Sequence, residues 1–153
     1  VLSTLHTNDA PSTITRLINM GLKPYLITAA LVAIISQRLV KKICPDCKEQ
    51  YTPGNDILYE LNLHDQDLQD KQFYIGRGCS SCNRTGYKGR MSILEIMSVD
   101  EEMCSHIIKQ SSTETIREIA RSNGMSTLLE SGLNAVYSGL TTLEEVARET
   151  SVN

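Results

Sequence analysis

The sequence predicts an α/β chain, mostly helical by content, carrying an inserted tetracysteine module and a C-terminal helical bundle. Three observations lead there. Two Cys-x-x-Cys pairs, Cys44–Cys47 and Cys79–Cys82, stand 31 residues apart. Strand-like runs flank them on both sides. From Asp100 onward, capping residues, amphipathic runs and glycines mark one helix after another. The chain has 153 residues, 41% of them apolar, which suffices for one typical domain or two small ones.

Taken in order, Val1-Leu2-Ser3-Thr4-Leu5 reads as the middle of a β-strand with no initiator Met, so the chain is expected to be a piece of a longer protein. A helix follows. Asn8 or Asp9 is its N-cap, Pro11 lies in its first turn and Gly21 stops it, with Ile14, Leu17, Ile18 and Met20 on its buried face. The apolar run Tyr25 to Ile35 predicts a second helix deep in the core. Leu39-Val40-Lys41-Lys42-Ile43 is a short strand leading into the first cysteine pair.

Between the pairs, Asn55 is placed to cap a helix through Ile57, Leu58 and Leu61. Asp65 to Lys71 is polar enough for a turn, and Phe73-Tyr74-Ile75 reads as a returning strand. Beyond them, Arg90 to Met97 alternates as the last strand. Four helices are then expected: Asp100 to Lys109, Thr113 to Ser122, Ser126 to Tyr137, and one from Thr142. Ser111 with Glu114, and Thr142 with Glu145, have capping-box spacing.

The formal charge is −3, unevenly spread: residues 1–43 carry five Lys/Arg against Asp9, and residues 100–153 carry nine Asp/Glu against four Lys/Arg. Nucleic acid is not expected as a partner, because the seven aromatics are scattered and no basic stripe interleaves with them. The run Tyr25 to Ile35 is far shorter than the roughly 20 residues a membrane-spanning helix needs. No charged-then-apolar export signal opens the chain.

The cysteine spacing is that of a metal site. Two residues between thiols let one tight turn aim both sulfurs at a single ion, and two such turns close a tetrahedral zinc shell with no position open for catalysis. Lys42, Lys48, Arg77, Arg84 and Lys88 lie near enough in sequence to offset the negative charge of four thiolates, and Gly76, Gly78, Gly86 and Gly89 permit the turns. A pair of disulfides and a redox Cys-x-x-Cys centre are the rival chemistries. Cys104 reads as a small core residue, and His64 and His106 as surface or boundary residues. A stand-alone zinc-ribbon adaptor that binds another protein or nucleic acid is the alternative function.

Several segments taken together resemble a known family. Leu2-Ser3-Thr4-Leu5-His6-Thr7-Asn8 looks like a His box. Arg16-Leu17 with Met20-Gly21, Gln37-Arg38-Leu39-Val40, the two cysteine pairs, Gly86-Tyr87-Lys88-Gly89-Arg90 and Gly139 to Val146 follow in the same order. This order resembles the C-terminal region of the type II secretion and type IV pilus assembly ATPases, within the hexameric secretion ATPase superfamily.

The resemblance implies that residues 1–43 are the truncated end of a RecA-like core, 44–90 a tetracysteine zinc module, and 91–153 a strand plus a helical subdomain. It implies a parent ATP hydrolase using ATP and Mg²⁺, assembled as a homohexamer on the cytoplasmic side of the inner membrane and working with platform and assembly proteins. His6 would sit by the γ-phosphate, and Arg16 and Arg38 could present charge to nucleotide or to a neighbouring subunit. No G-x-x-x-x-G-K-[ST] phosphate loop occurs in the sequence, so the isolated chain is expected to be inactive.

Overall fold

The computed structural model describes residues 1–64, 68 and 70–150. Its helices are α1 (Ala10–Asn19), α2 (Pro24–Ala30), α3 (Asn55–Glu60), α4 (Glu101–Ile108), α5 (Thr113–Ser122), α6 (Leu128–Tyr137) and α7 (Leu143–Thr150). The strands are β1 (Ala33–Ile43), β2 (Lys48–Tyr51), β3 (Phe73–Gly76) and β4 (Tyr87–Ser98). The mixed helix and sheet content expected from the sequence is present. β1 pairs with β4 in one two-stranded sheet and β2 with β3 in another. Two compact units form, one from Val1–Gln37 and Leu94–Leu128, the other from Arg38–Ile93 and Leu129–Asn153.

In the first unit, α1 starts where the sequence says it should. The Asp9 carboxylate accepts a hydrogen bond from the Ser12 N–H at 2.8 Å, and a proline stands in the first turn. This satisfies one of the helix's orphan donors. Ile14 is fully buried, with Leu17 and Ile18 packed beside it, but Met20 is 57% exposed, contrary to expectation. α1 packs on α2 and α5, α2 on α4, and α4 on α5. The core is Ile14, Ile27, Met97, Met103, Ile107 and Ile116 with small residues between.

The predicted long core helix at Tyr25–Ile35 is not formed. α2 ends at Ala30, only Ile27 of it is buried, and the chain becomes β1 at Ala33. An apolar run without clear periodicity fits either state, and here β-branched Val32, Ile34 and Ile35 favour an extended backbone. Residues 1–7 likewise form no strand. Extended backbone becomes a strand only by exchanging hydrogen bonds with a neighbour, and none pairs with it among the described residues.

In the second unit, β2 and β3 are antiparallel, with Lys48 opposite Gly76 and Tyr51 opposite Phe73. Leu61, Phe73, Val136, Leu143, Val146 and Ala147 form its core, and α3 packs on α7. α3 starts one residue earlier than predicted, with Gly54 rather than Asn55 at the cap position and no side-chain cap. Of the turn expected from Asp65 to Lys71, residues 65–67 and 69 lie outside the described ones. Thr142 caps α7 as predicted, its hydroxyl accepting from the Glu145 N–H at 3.3 Å. Glu145 does not close the box, because its carboxylate is held by Lys41 and Arg148.

Among the described residues, no helix is long and apolar enough to cross a membrane.

Candidate metal centre and the His6 pocket

The antiparallel register of β2 and β3 brings the two cysteine pairs together. Cys47 directly precedes β2 and Cys79 follows β3 by three residues, so both pairs lie at one end of the hairpin. Each pair is a single 3₁₀ turn, closed by the Cys47 N–H on the Cys44 carbonyl and the Cys82 N–H on the Cys79 carbonyl. Two further bonds clamp the turns. Arg77 N–H donates to the Cys47 carbonyl at 3.1 Å, and Cys44 N–H donates to the Gly86 carbonyl at 2.9 Å.

The four sulfurs all lie within 4.8 Å of one another. Cys44 and Cys79 are 3.9 Å apart, Cys47 and Cys82 3.9 Å, and Cys79 and Cys82 3.7 Å. A tetrahedron with Zn–S bonds of about 2.3 Å has edges of about 3.8 Å. The sulfurs therefore stand where a tetrahedral zinc shell needs them and far beyond the disulfide length of about 2.05 Å. All five cysteines are free thiols. A closed shell of four soft donors suits zinc and leaves no position for a reacting water.

Backbone N–H groups provide the nearest electrostatic compensation. Cys82 Sγ accepts from the Cys79 N–H at 3.2 Å and the Gly86 N–H at 3.3 Å, and Cys47 Sγ accepts from the Gly78 N–H at 3.3 Å. The Cys79 and Gly86 donors hold the Cys82 thiol down at about 6 in the metal-free protein. Burial pushes Cys47 up to about 12 and raises Cys44 as well. Three of the five cations named from the sequence are occupied differently: Arg77 pairs with Glu49, Lys88 Nζ lies 3.7 Å from Asp46, and Lys48 sits over the Tyr74 ring. A sequence shows cations but not where peptide N–H groups point, so the backbone donors were not legible there.

His64 is exposed and His106 is half-buried, its Nδ1 3.1 Å from the Ser111 hydroxyl; neither joins the cysteine group. Cys104 is half-buried on α4, short of the core position expected for it.

His6 is exposed and lines an open polar pocket of about 320 Å³ with Asn8, Ser12, Arg16, Asn19 and Thr113 among its neighbours. Arg16 thus shares a pocket with His6, whereas Arg38 does not line it. One side is fixed by Thr15 and Thr113, whose hydroxyl oxygens are 2.6 Å apart. Two carboxylates are buried that the sequence did not mark for burial, Glu95 and Glu145. The signal was available for Glu95, which alternates with Ile93 and Met97 on the inward face of β4.

The fold and cysteine geometry define a mixed α/β chain with a four-cysteine cluster able to hold a metal ion. The chain belongs to the Type II/IV secretion system protein family, whose model matches residues 1–148. It is 47% identical over 150 residues to the type IV pilus assembly ATPase PilB of Thermus thermophilus, covering 98% of this chain and 17% of that protein. It is 40% identical over 155 residues to the PilB of Myxococcus xanthus, covering 99% and 27%. Against the type II secretion system ATPase E of Vibrio cholerae serotype O1 it is 38% identical over 151 residues, covering 98% and 29%. The chain thus spans less than a third of each of these relatives.

Proposed function

We propose that this chain is the C-terminal segment of a hexameric ATPase that powers type II protein secretion or type IV pilus assembly. The observation that carries this is the family match over residues 1–148, with relatives in both systems. In the parent protein, residues 1–43 serve as the end of a RecA-like core, 44–90 as a zinc module and 91–153 as a strand and helical subdomain. ATP and Mg²⁺ are bound through a phosphate loop that these 153 residues do not contain.

Cys44, Cys47, Cys79 and Cys82 hold a structural zinc ion, a role supported by sulfur separations of 3.7–3.9 Å between three pairs. His6 contacts the terminal phosphate and senses its loss. Support comes from its exposure and from the Arg16 guanidinium in the same pocket, since an imidazole donor and a fixed cation are the groups that recognise a phosphate. The working context is a homohexamer on the cytoplasmic face of the inner membrane, attached through partners. The zinc module is the part offered to a platform protein or an adjacent subunit.

The test uses the full-length protein that carries this segment. His6→Ala should sharply reduce ATP hydrolysis, and a normal rate would remove His6 from the mechanism. The 153-residue chain alone should hydrolyse no ATP above background. Paired Cys44→Ser and Cys47→Ser changes should release zinc and impair transport or piliation. Zinc loss with assembly, hydrolysis and transport unchanged would leave the module without a role in the machine.

A further inference from the structure

Glu95 is the one carboxylate on the inward face of β4, 4% exposed between Ile93 and Met97, which are 1% and 0% exposed. A carboxylate buried among apolar side chains is costly unless its oxygens are satisfied. Both are. Oε1 accepts the Ala10 N–H at 2.6 Å, and Oε2 accepts the Leu128 N–H at 3.3 Å. Both of these partners are peptide N–H donors.

Ala10 is the first residue of α1, and α1 carries Ser12, Thr15, Arg16 and Asn19 of the His6 pocket. The segment leading into it is tied down at Thr7 and Asp9. Thr7 Oγ1 is 2.9 Å from Thr13 Oγ1, and Asp9 both caps the helix and accepts from Arg117 Nη2 at 2.7 Å. Those bonds fix the segment to α1 and α5. Among the described residues, the Glu95 bond is a polar tie from the start of α1 to the strand β4, beside the packing of Ala10 and Ile14 with Met97 in one core. Without that bond, the start of α1 loses its polar anchor on β4, and the Arg16 side of the pocket loses it too.

We propose that Glu95 is the positioning residue of the His6 pocket, holding the start of α1 so that His6 and Arg16 face one phosphate. The proposal rests on the assignment of His6 to the nucleotide given above. A carboxylate is required because both partners are donors. Glutamine keeps one acceptor and turns an NH₂ toward the other N–H, where it cannot accept.

The test is a double-mutant cycle on kcat in the full-length protein, combining Glu95→Gln with His6→Ala. A misplaced group of this kind costs roughly tenfold or more in rate, so Glu95→Gln alone should lower kcat by at least about tenfold. If Glu95 acts through His6, the same change in the His6→Ala background should alter kcat less than about twofold. A purely structural role predicts equal losses in both backgrounds, and that result overturns the proposal while leaving His6 in place. A normal rate in His6→Ala alone overturns the His6 assignment instead, and the positioning role with it. Should Glu95→Gln fail to fold, Glu95→Asp, which keeps the charge but shortens its reach, enters the same cycle under the same criteria.

Discussion

Gly76 and Gly86 meet back to back beside the cysteines: a Cβ on either would run into the other's carbonyl group. Gly86 also has φ +78, a conformation that side-chain-bearing residues rarely adopt, while its N–H reaches Cys82 Sγ and its carbonyl receives the Cys44 N–H. Gly86→Ala should therefore cost about 2 kcal/mol or more and misplace two ligands together. The check is zinc content after gel filtration alongside thermal unfolding. One full equivalent of zinc with an unchanged midpoint would show that the two backbones can part without consequence.

Zinc should bind one ion per chain, and its affinity should fall in acid, because each ligand must give up its proton. In the metal-free chain Cys82 leads. Its thiol lies at about 6, held down first by the Cys79 N–H and helped by that of Gly86. A depressed folded-state value contributes stability that is complete above the ordinary thiol range and lost as pH falls through about 6. Thiolate absorbance of the metal-free chain should show a component with a midpoint near 6 that disappears in Cys82→Ser. If that component survives the substitution, the two N–H donors are not what governs the first deprotonation.

Glu145, 3% exposed, is the second buried carboxylate, and it ties β1 to α7. Oε2 accepts the Lys41 N–H at 3.0 Å and Arg148 Nη2 at 2.7 Å, and Lys41 Nζ lies 3.4 Å from Oε1. Arg148 and Lys41 are about half exposed and can turn to water, but the Lys41 N–H has no such freedom. Glu145→Ala should cost about 2–4 kcal/mol, read from denaturant unfolding. Lys41→Ala keeps the peptide N–H and should cost under about 1 kcal/mol. Equal losses would mean that the side-chain ion pair, and not the backbone donor, carries the interaction.

What the sequence made legible follows from how local each signal is. The cap of α1, its proline and the stop at Gly21 depend on neighbours in sequence, and they are found where expected. The cysteine pairs name their own chemistry by spacing, though only the register of β2 on β3 brings the four sulfurs together. Tyr25 to Ile35 failed because an apolar run carries no period by which to choose helix or strand. The partners of Glu95 and the N–H donors around Cys82 were invisible for another reason. They are peptide N–H groups, two of them far along the chain, and residue type says nothing about where such groups point.

The start of α5 separates two neighbouring serines that the sequence alone does not distinguish well. Capping-box spacing selected Ser111 with Glu114, but the structure places Ser112 at the cap, its hydroxyl accepting from the Thr115 N–H at 3.2 Å. Ser111 is instead 3.1 Å from His106 Nδ1, at a half-exposed edge where water can replace it. A cap hydroxyl satisfies a helix N–H that has no other partner, so Ser112→Ala should cost about 1 kcal/mol. Ser111→Ala should cost clearly less, since it leaves the helix cap in place. Urea unfolding of the two variants in one buffer ranks them directly. A larger loss from Ser111 would return the cap to the residue that the spacing selected.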